Sequence, residues 1–302
     1  MKSFKTLVII VTYNGMKWLE RCLDSIVDSS IELDAYIVDN GSTDGSQEFI
    51  TTKYPQFTFY QSPTNSGFGA ANNIGLKYAI ENDYDYVYLL NQDAWVESNT
   101  IAVLIEQQKL NPEYGILSPL QTNAEKNALD KNFVGWFSKN HIAVSDAYCN
   151  TVKDLYDTDF VMAAHWLISK DCLNVVGGFS SMFYHYGEDA NYIHRARYHK
   201  FKIGIAPKVI GVHDREFREP SKAKDVYMIP IPFLIISSDI NRSYFKAVTR
   251  AYVSMMYLAF KNVSKYRDIC ILLRSIFRIY PVFRIYRDRK TNKLKVCDFT
   301  SK

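Results

Sequence analysis

LVIIVTYN at 7–14, AYIVDNGSTDGS at 35–46 and YVYLLNQDAW at 86–95 each climb an apolar strand and stop at a polar cluster. Continuous apolar runs of this length, rich in Val, Ile, Leu and Tyr, are what strands buried on both faces look like. Three such strands with polar exits predict one furnished edge of a parallel sheet, and ligands of open α/β sheets bind outside the carboxyl ends of the strands.

The segments between these strands fit that reading. Leu19, Cys22, Leu23, Ile26 and Val27 recur at helical spacing after the first strand. After the second strand, Asp44 is placed to cap a helix, with Gln47 three residues on in capping-box relation. Phe57 to Tyr60 reads as a third strand and Ala70 to Ala79 as a helix entered through NSGFGA. Tyr86 to Leu90 is the fourth strand, and Ser98 is expected to cap a helix carrying Ile101, Leu104 and Ile105. Alternation of this kind predicts an α/β fold with a mainly parallel sheet.

Periodicity fades from about 120 to 157, which is expected to be loop-rich. It returns with a strand over Phe160 to Ile168, a helix over Ser169 to Val176 stopped by Gly177-Gly178, a helix opening near Glu188, and strands at Lys202 to Ala206 and Val209 to Val212. The predicted organisation is a catalytic domain over 1–232, divided into halves at 119/120, and a helical appendage over 233–302.

The chain has 302 residues, 47% of them apolar and 15% aromatic, enough for a substantial core. Its five cysteines are scattered without a CxxC pair, which argues against a disulfide framework or zinc module and for a reducing cytoplasm. The run Leu7 to Val11 is too short for a signal peptide core, and Pro230 and Pro232 interrupt the apolar stretch at 228–238, so no transmembrane helix is expected. Residues 240–302 carry 15 Lys and Arg against three Asp, net +12, which leaves −8 on the rest. There the basic residues alternate with Tyr, Phe, Leu and Ile. Two readings stand: an anionic membrane surface, placing the protein peripherally at the inner face of the cytoplasmic membrane, or a helical pair that packs on the body or forms a homodimer. No base-reading module accompanies the charge, so nucleic acid is not expected.

Several polar residues admit both a chemical and a local explanation. Asp39 can face a nucleotide or serve its own turn. Asp93, after Asn91 and Gln92, can hold Mg²⁺ or Mn²⁺ or simply be a solvated loop carboxylate. Glu188 and Asp189 open a helix, where acids favour the dipole and where a fixed carboxylate also suits a general base. His213 ends a strand as a structural histidine or a metal ligand.

Taken in order, VTYNG at 11–15, VDNGSTDGS at 38–46, NSGFGAANNIGL at 65–76, LLNQDAW at 89–95, VVGGF at 175–179, FYHYGEDANYIHRARYHKFKI at 183–203 and His213 resemble glycosyltransferase family 2, above all its bacterial rhamnosyltransferase-like members. The resemblance covers about residues 5–215. It implies a GT-A fold and inverting transfer of a sugar from a UDP-, dTDP- or GDP-linked donor to a glycan or lipid-linked acceptor, in bacterial surface polysaccharide synthesis. By that likeness Thr12, Tyr13, Asn14, Asp39 and Asn40 hold the base and ribose, and Gly67 and Asn72 shape the adjoining loop. Asn91, Gln92 and Asp93 stand where the family has its DXD motif, Asp93 and His213 bind Mn²⁺ or Mg²⁺, and Asp189 is the catalytic base, with Glu188 beside it contacting acceptor or donor. The chain departs from the pattern at Asn91, where many members have an acid, and at Ala190-Asn191-Tyr192-Ile193, which lacks a second acid. A catalytically silent nucleotide-sugar-binding or scaffold protein is the alternative. A nucleotidyltransferase fits less well, because the basic, glycine-rich N-terminal loop expected for a triphosphate is missing.

Overall fold

A computed structural model describes residues 4–215, 230–261 and 282–294. Among the described residues nine strands form one sheet in the order β3-β2-β1-β4-β8-β6-β9-β5, with β5 (Ala94–Val96) at one edge and β7 (Tyr156–Asp157) pairing beside β9. β1 (Thr6–Thr12), β2 (Asp34–Asp39), β3 (Thr58–Gln61) and β4 (Tyr86–Asn91) are mutually parallel. The other half is mixed: β8 (His165–Ser169) runs antiparallel to both β4 and β6 (Tyr114–Thr122), while β9 (Lys202–His213) is parallel to β6. Two reversals restore direction, so β9 ends on the same edge of the sheet as β1, β2 and β4.

Both faces are covered, which is why the strands carry apolar residues without a break. In β1, Leu7 and Ile9 pack into one layer, with α3 (Phe68–Glu81), α7 (Lys170–Val176) and α8 (Glu188–Tyr198). Val8 and Ile10 pack into the other, with α1 (Met16–Val27), α2 (Ser46–Lys53) and α4 (Thr100–Leu110). The predicted face of α1 is buried through Leu19, Cys22, Leu23 and Ile26, whereas Val27 lies outside it.

Four local expectations give way. Residues 120–157 are not mainly loop: β6 crosses the sheet despite Gly115 and Pro119, and α5 (Lys131–Phe137) and α6 (His141–Tyr148) follow. Those helices are too short to show a period, but each has a polar cap. Asp130 accepts from the backbone of Asn132 and Phe133, and Asn140 from Ala143. Ser98 does not cap α4; Asn99 takes that position without a side-chain bond. The strand expected over 160–168 is ordered as β8 only from His165, and the two strands expected after 202 are one, β9, whose register against β6 shifts between Pro119 and Leu120.

α9 (Ile231–Ser238), α10 (Tyr244–Lys261) and α11 (Val282–Asn292) follow the sheet. Phe233, Leu234, Ala251, Met255 and Ile285 form an apolar cluster with Met182 and Phe183, which directly precede the α8 turn. Arg289 of α11 is buried and donates to the carbonyls of Ser237, Asp239 and Arg242, satisfying groups that the end of α9 leaves open. Much of the basic segment, 262–281 and 295–302, lies outside the described residues.

Candidate active site

The ends of β1, β2 and β4 are tied to one another by side chains. The amide oxygen of Gln92 accepts from Thr12 Oγ1 and from the Tyr13 N–H, both at 2.8 Å, and its Nε2 donates to the Tyr13 carbonyl at 3.2 Å. A Cβ on Gly15 would stand 2.2 Å from that amide oxygen, so a side chain there would displace Gln92 from these bonds. Asn14 sits in the left-handed region at φ 48° and is held by Ser42 Oγ and the Thr43 N–H. Tyr13 is left exposed at the mouth.

Asp39 is fully buried. One carboxylate oxygen accepts from the backbone of Gly41 and Ser42 and, at 2.9 Å, from Gln47 Nε2; the other is buried without a partner. Gln47 is therefore engaged in holding Asp39 rather than in a capping box, while Asp44 bonds to Ser46 and to the Met16 N–H. Asn40 fixes the next loop through Asn65 and Ser66. Gly67 follows at φ 87°, where a Cβ would come within 2.1 Å of the Tyr184 carbonyl oxygen. Asn72 bonds back to Phe68 within its own helix; its neighbour Asn73 reaches across, exchanging two hydrogen bonds with the backbone of Phe179. α3 with the loop before it and the segment before α8 are thus held together.

Asp93 and His213 meet because β5 (Ala94–Val96) pairs antiparallel with β9 in a register that sets Ala94 opposite His213. Asp93 Oδ1 lies 3.3 Å from His213 Nε2. Burial opposes ionisation of Asp93, but the hydrogen bond and charge of His213, with Arg215, outweigh it and hold the carboxyl below the usual carboxylate range. Behind them, His165 is buried between the Tyr88 hydroxyl and the Val212 carbonyl. A carbonyl only accepts, so Nε2 carries the proton and Nδ1 accepts from Tyr88. Burial, then the charge of His213, push the His165 pKa down to about 3, and the ring stays neutral.

Among the described residues no group of three or more His, Cys, Asp or Glu is arranged around a metal position. The pair that is present nevertheless fits one. It offers a carboxylate oxygen and an imidazole nitrogen side by side, and Mg²⁺ or Mn²⁺ commonly takes one or two protein ligands and completes its shell with substrate phosphate and water.

Glu188 and Asp189 open α8 after Tyr186 and Gly187, two residues with positive φ. Glu188 is buried, and Oε2 has no hydrogen-bond partner; burial and the Asp189 charge push its pKa up to about 8. Burial pushes Asp189 up to about 6, against hydrogen bonds from the backbone, Ala190 among them, and the positive charge of Arg215. Arg215 acts electrostatically on both Asp93 and Asp189 and pairs at 2.6 Å with buried Asp130. Neither Asp130 nor Arg215 stands out in the sequence. Asp130 precedes a stretch with no legible period, and Arg215 is one cation among many.

An edge built this way, with polar side chains gathered at the ends of parallel strands in a mixed sheet covered by helices on both faces, defines a GT-A glycosyltransferase fold. The glycosyl transferase family 2 model matches residues 7–163, and the chain belongs to that family. It is similar to glycosyltransferase GlyA of Streptococcus pneumoniae, 31% identical over 106 residues that cover 34% of this chain and 15% of that protein. A low-salt glycan biosynthesis hexosyltransferase of Haloferax volcanii is 21% identical over 75% of this chain and 72% of its own. An N-acetylglucosaminyl-diphospho-decaprenol L-rhamnosyltransferase of Mycobacterium tuberculosis is 30% identical over 37% of this chain and 40% of its own. This chain thus spans well under two thirds of the first and third of these relatives. Among solved structures, the fold is shared with a Pyrobaculum calidifontis mannosyltransferase in complex with GDP-Man and Mn²⁺ (TM-score 0.60, 16% identity, 96% of this chain and 84% of that one). It is also shared with S. aureus TarS 1–349 in complex with UDP-GlcNAc (TM-score 0.62, 13% identity, 96% and 89%).

Proposed function

We propose that the protein is an inverting, metal-assisted glycosyltransferase that moves a sugar from a nucleoside-diphosphate donor to a hydroxyl of a glycan or lipid-linked acceptor in bacterial surface polysaccharide synthesis. The observation that carries this reading is the pairing of Asp93 with His213, 3.3 Å apart at the edge of the sheet where β1, β2 and β9 also end. That pair offers a carboxylate and an imidazole for the metal of the leaving diphosphate, and Asp189 at the start of α8 is the base for the acceptor.

In this reading the unpartnered oxygen of Asp39 accepts from the base, the exposed ring of Tyr13 covers it, and the Gly67 backbone lies along the nucleotide. Asp93 and His213 hold the divalent ion, which when bound neutralises charge developing on the diphosphate. Asp189 takes the proton from the acceptor hydroxyl as that oxygen attacks the anomeric carbon from the face opposite the leaving group. The new glycosidic bond forms as the bond to the diphosphate breaks, and configuration inverts in one step. Glu188, protonated at neutral pH, presents an O–H to donor or acceptor without adding a second negative charge beside the base.

We divide the chain in the same reading into a nucleotide-sugar half over 1–119, an acceptor half over 120–232 and the C-terminal helices. The outer face of α10 exposes Phe245, Val253, Met256 and Tyr257, flanked by Lys246 and Arg250. That pattern suits the surface of an anionic membrane, with aromatics at the interface and cations at headgroups. Among the described residues no helix is long and apolar enough to cross a membrane.

Release of nucleoside diphosphate from a panel of UDP-, dTDP- and GDP-sugars, with Mn²⁺ and lipid-linked or glycan acceptors, tests the transfer. Anomeric proton couplings of the product test inversion. Donor binding by calorimetry with no turnover under any of these conditions would make the protein a silent binder instead.

A further inference from the structure

Asp130 is buried at 2% exposure, and its two oxygens have separate surroundings. Oδ1 accepts from the Asn132 and Phe133 N–H groups and caps α5. Oδ2 accepts from Arg215 Nε at 2.6 Å and lies 3.9 Å from His213 Nδ1. A cap alone does not call for a buried charge, since Ser, Thr or Asn caps a helix as well without the desolvation that an ion incurs. The negative charge at this position therefore has a reason on the side of Oδ2.

His213 stands between two carboxylates. Nε2 faces Asp93, while Nδ1 is buried and has no hydrogen-bond partner, an arrangement that costs stability unless an acceptor comes into reach. With a divalent ion on Nε2 the neutral ring keeps one proton, on Nδ1, and Asp130 Oδ2 is the carboxylate beside it. Closing 3.9 Å to hydrogen-bond distance takes a shift of about 1 Å.

We propose that Asp130 is a positioning residue of the transfer site, a buried carboxylate that sets the ring and tautomer of His213 and fixes the Arg215 guanidinium against it. The proposal rests on the reading of Asp93 and His213 as a metal pair. Its physical basis is the general behaviour of ligating imidazoles, whose second nitrogen is oriented by an outer carboxylate or carbonyl that also raises their basicity. One anion then serves two donors: it aims the ligand nitrogen of His213 and fixes the Arg215 guanidinium at 2.6 Å.

Two variants of the full chain test it. Asp130→Asn keeps a capping oxygen but turns an amide NH₂ toward Arg215 and His213; Asp130→Ser keeps the cap and loses the reach. Both are expected to unfold at close to the wild-type temperature. Mn²⁺ binding, followed by electron paramagnetic resonance with saturating GDP or UDP, is expected to weaken about 10–100-fold in each. Wild-type Mn²⁺ affinity in both folded variants overturns the assignment. Should the wild-type chain itself bind no Mn²⁺ with either nucleotide, the metal-assisted reading fails instead. Nitrogen NMR of the His213 ring then decides the role of Asp130: an Nδ1–H tautomer that becomes mixed in Asp130→Asn upholds it, and identical tautomers overturn it.

Discussion

Asp93 Oδ1 and His213 Nε2 face each other at 3.3 Å, although one follows β4 and the other ends β9. The contact is a product of strand register: Ala94 pairs with His213, and the Asp214 N–H donates to the Asp93 carbonyl, which continues the ladder by one step. A further tie comes from Trp18 of α1, whose Nε1 donates to Asp214 Oδ2 at 3.0 Å. The pair is thus supported by the sheet and by α1 packed against it.

If this pair holds the metal, chelation abolishes transfer and added Mn²⁺ restores it. His213→Ala leaves one protein ligand, and the Mn²⁺ concentration needed for half-maximal rate is expected to rise at least tenfold. Asp93→Asn is expected to lower the rate more steeply, since it removes the charged ligand as well as the partner of His213. Rates measured against Mn²⁺ concentration check both; an unchanged dependence in either variant contradicts the metal assignment.

Asp189 has its pKa pushed up to about 6 and must be ionised to accept a proton. The rate, read as kcat/KM, is therefore expected to rise with pH through about 6 and level off above it. Asp189→Asn is expected to lose about 10²–10⁴-fold in turnover and with it this rising limb, while donor affinity stays near wild type. A pH profile of nucleoside diphosphate release separates these outcomes, because a binding defect would raise KM and keep the limb.

Glu188 makes an opposite prediction for stability. Its folded pKa of about 8 lies above the ordinary carboxylate value of 4.5. The unfolded chain gives up this proton near 4.5, while the folded chain keeps it until about 8. Its contribution is therefore fully present below the unfolded value and is lost as pH rises through the folded one, at up to about 1.4 kcal/mol per unit. Glu188→Gln, which stays neutral, is expected to unfold at a higher temperature than wild type at pH 8.5 and at a similar one at pH 4. Thermal melts at the two pH values suffice to measure the difference.

Nucleotide binding can be probed at Asp39. Its engaged oxygen maintains the turn at 41–42, and the second oxygen is buried with nothing to accept from. A hydrogen bond to a charged group contributes about 1.5–3 kcal/mol, so Asp39→Asn is expected to weaken nucleoside diphosphate binding by about 10–100-fold. Calorimetric titration of UDP, dTDP and GDP also identifies the preferred base. Equal affinity in mutant and wild type would remove Asp39 from the pocket.

Liposomes report on α10. The full chain is expected to co-sediment with vesicles containing anionic lipid, less so with neutral ones, and less again as salt screens the charges. Replacing Phe245 and Tyr257 by Ser, at 81% and 65% exposure, is expected to reduce sedimentation with little effect on folding. Salt-insensitive dimers without lipid binding would assign the face to a second copy of the chain.

The strand-and-helix alternation of residues 7–110 was legible without coordinates, because burial on both faces of a parallel sheet imposes apolar runs and covering helices impose a 3.6-residue period. So were the polar strand exits at Thr12, Asp39 and Asn91, each of which follows an apolar run in the chain. Residues 114–148 were harder to read. β6 carries a glycine and a proline, α5 and α6 span two turns each, and their caps are tertiary facts until a helix is known to follow. The role of Gln47 shows the same limit, since a capping spacing and a bond to Asp39 use the same residue at the same place.

What the chain alone determined was the α/β alternation, the furnished edge and the order of motifs that places it in glycosyltransferase family 2; each is written in local sequence, where a few neighbouring side chains decide the outcome. Only the tertiary structure decided that Asp93 meets His213 and that Asp130 pairs with Arg215 beside them. Those relations depend on strand register and on crossings between distant segments, which no local period or spacing encodes.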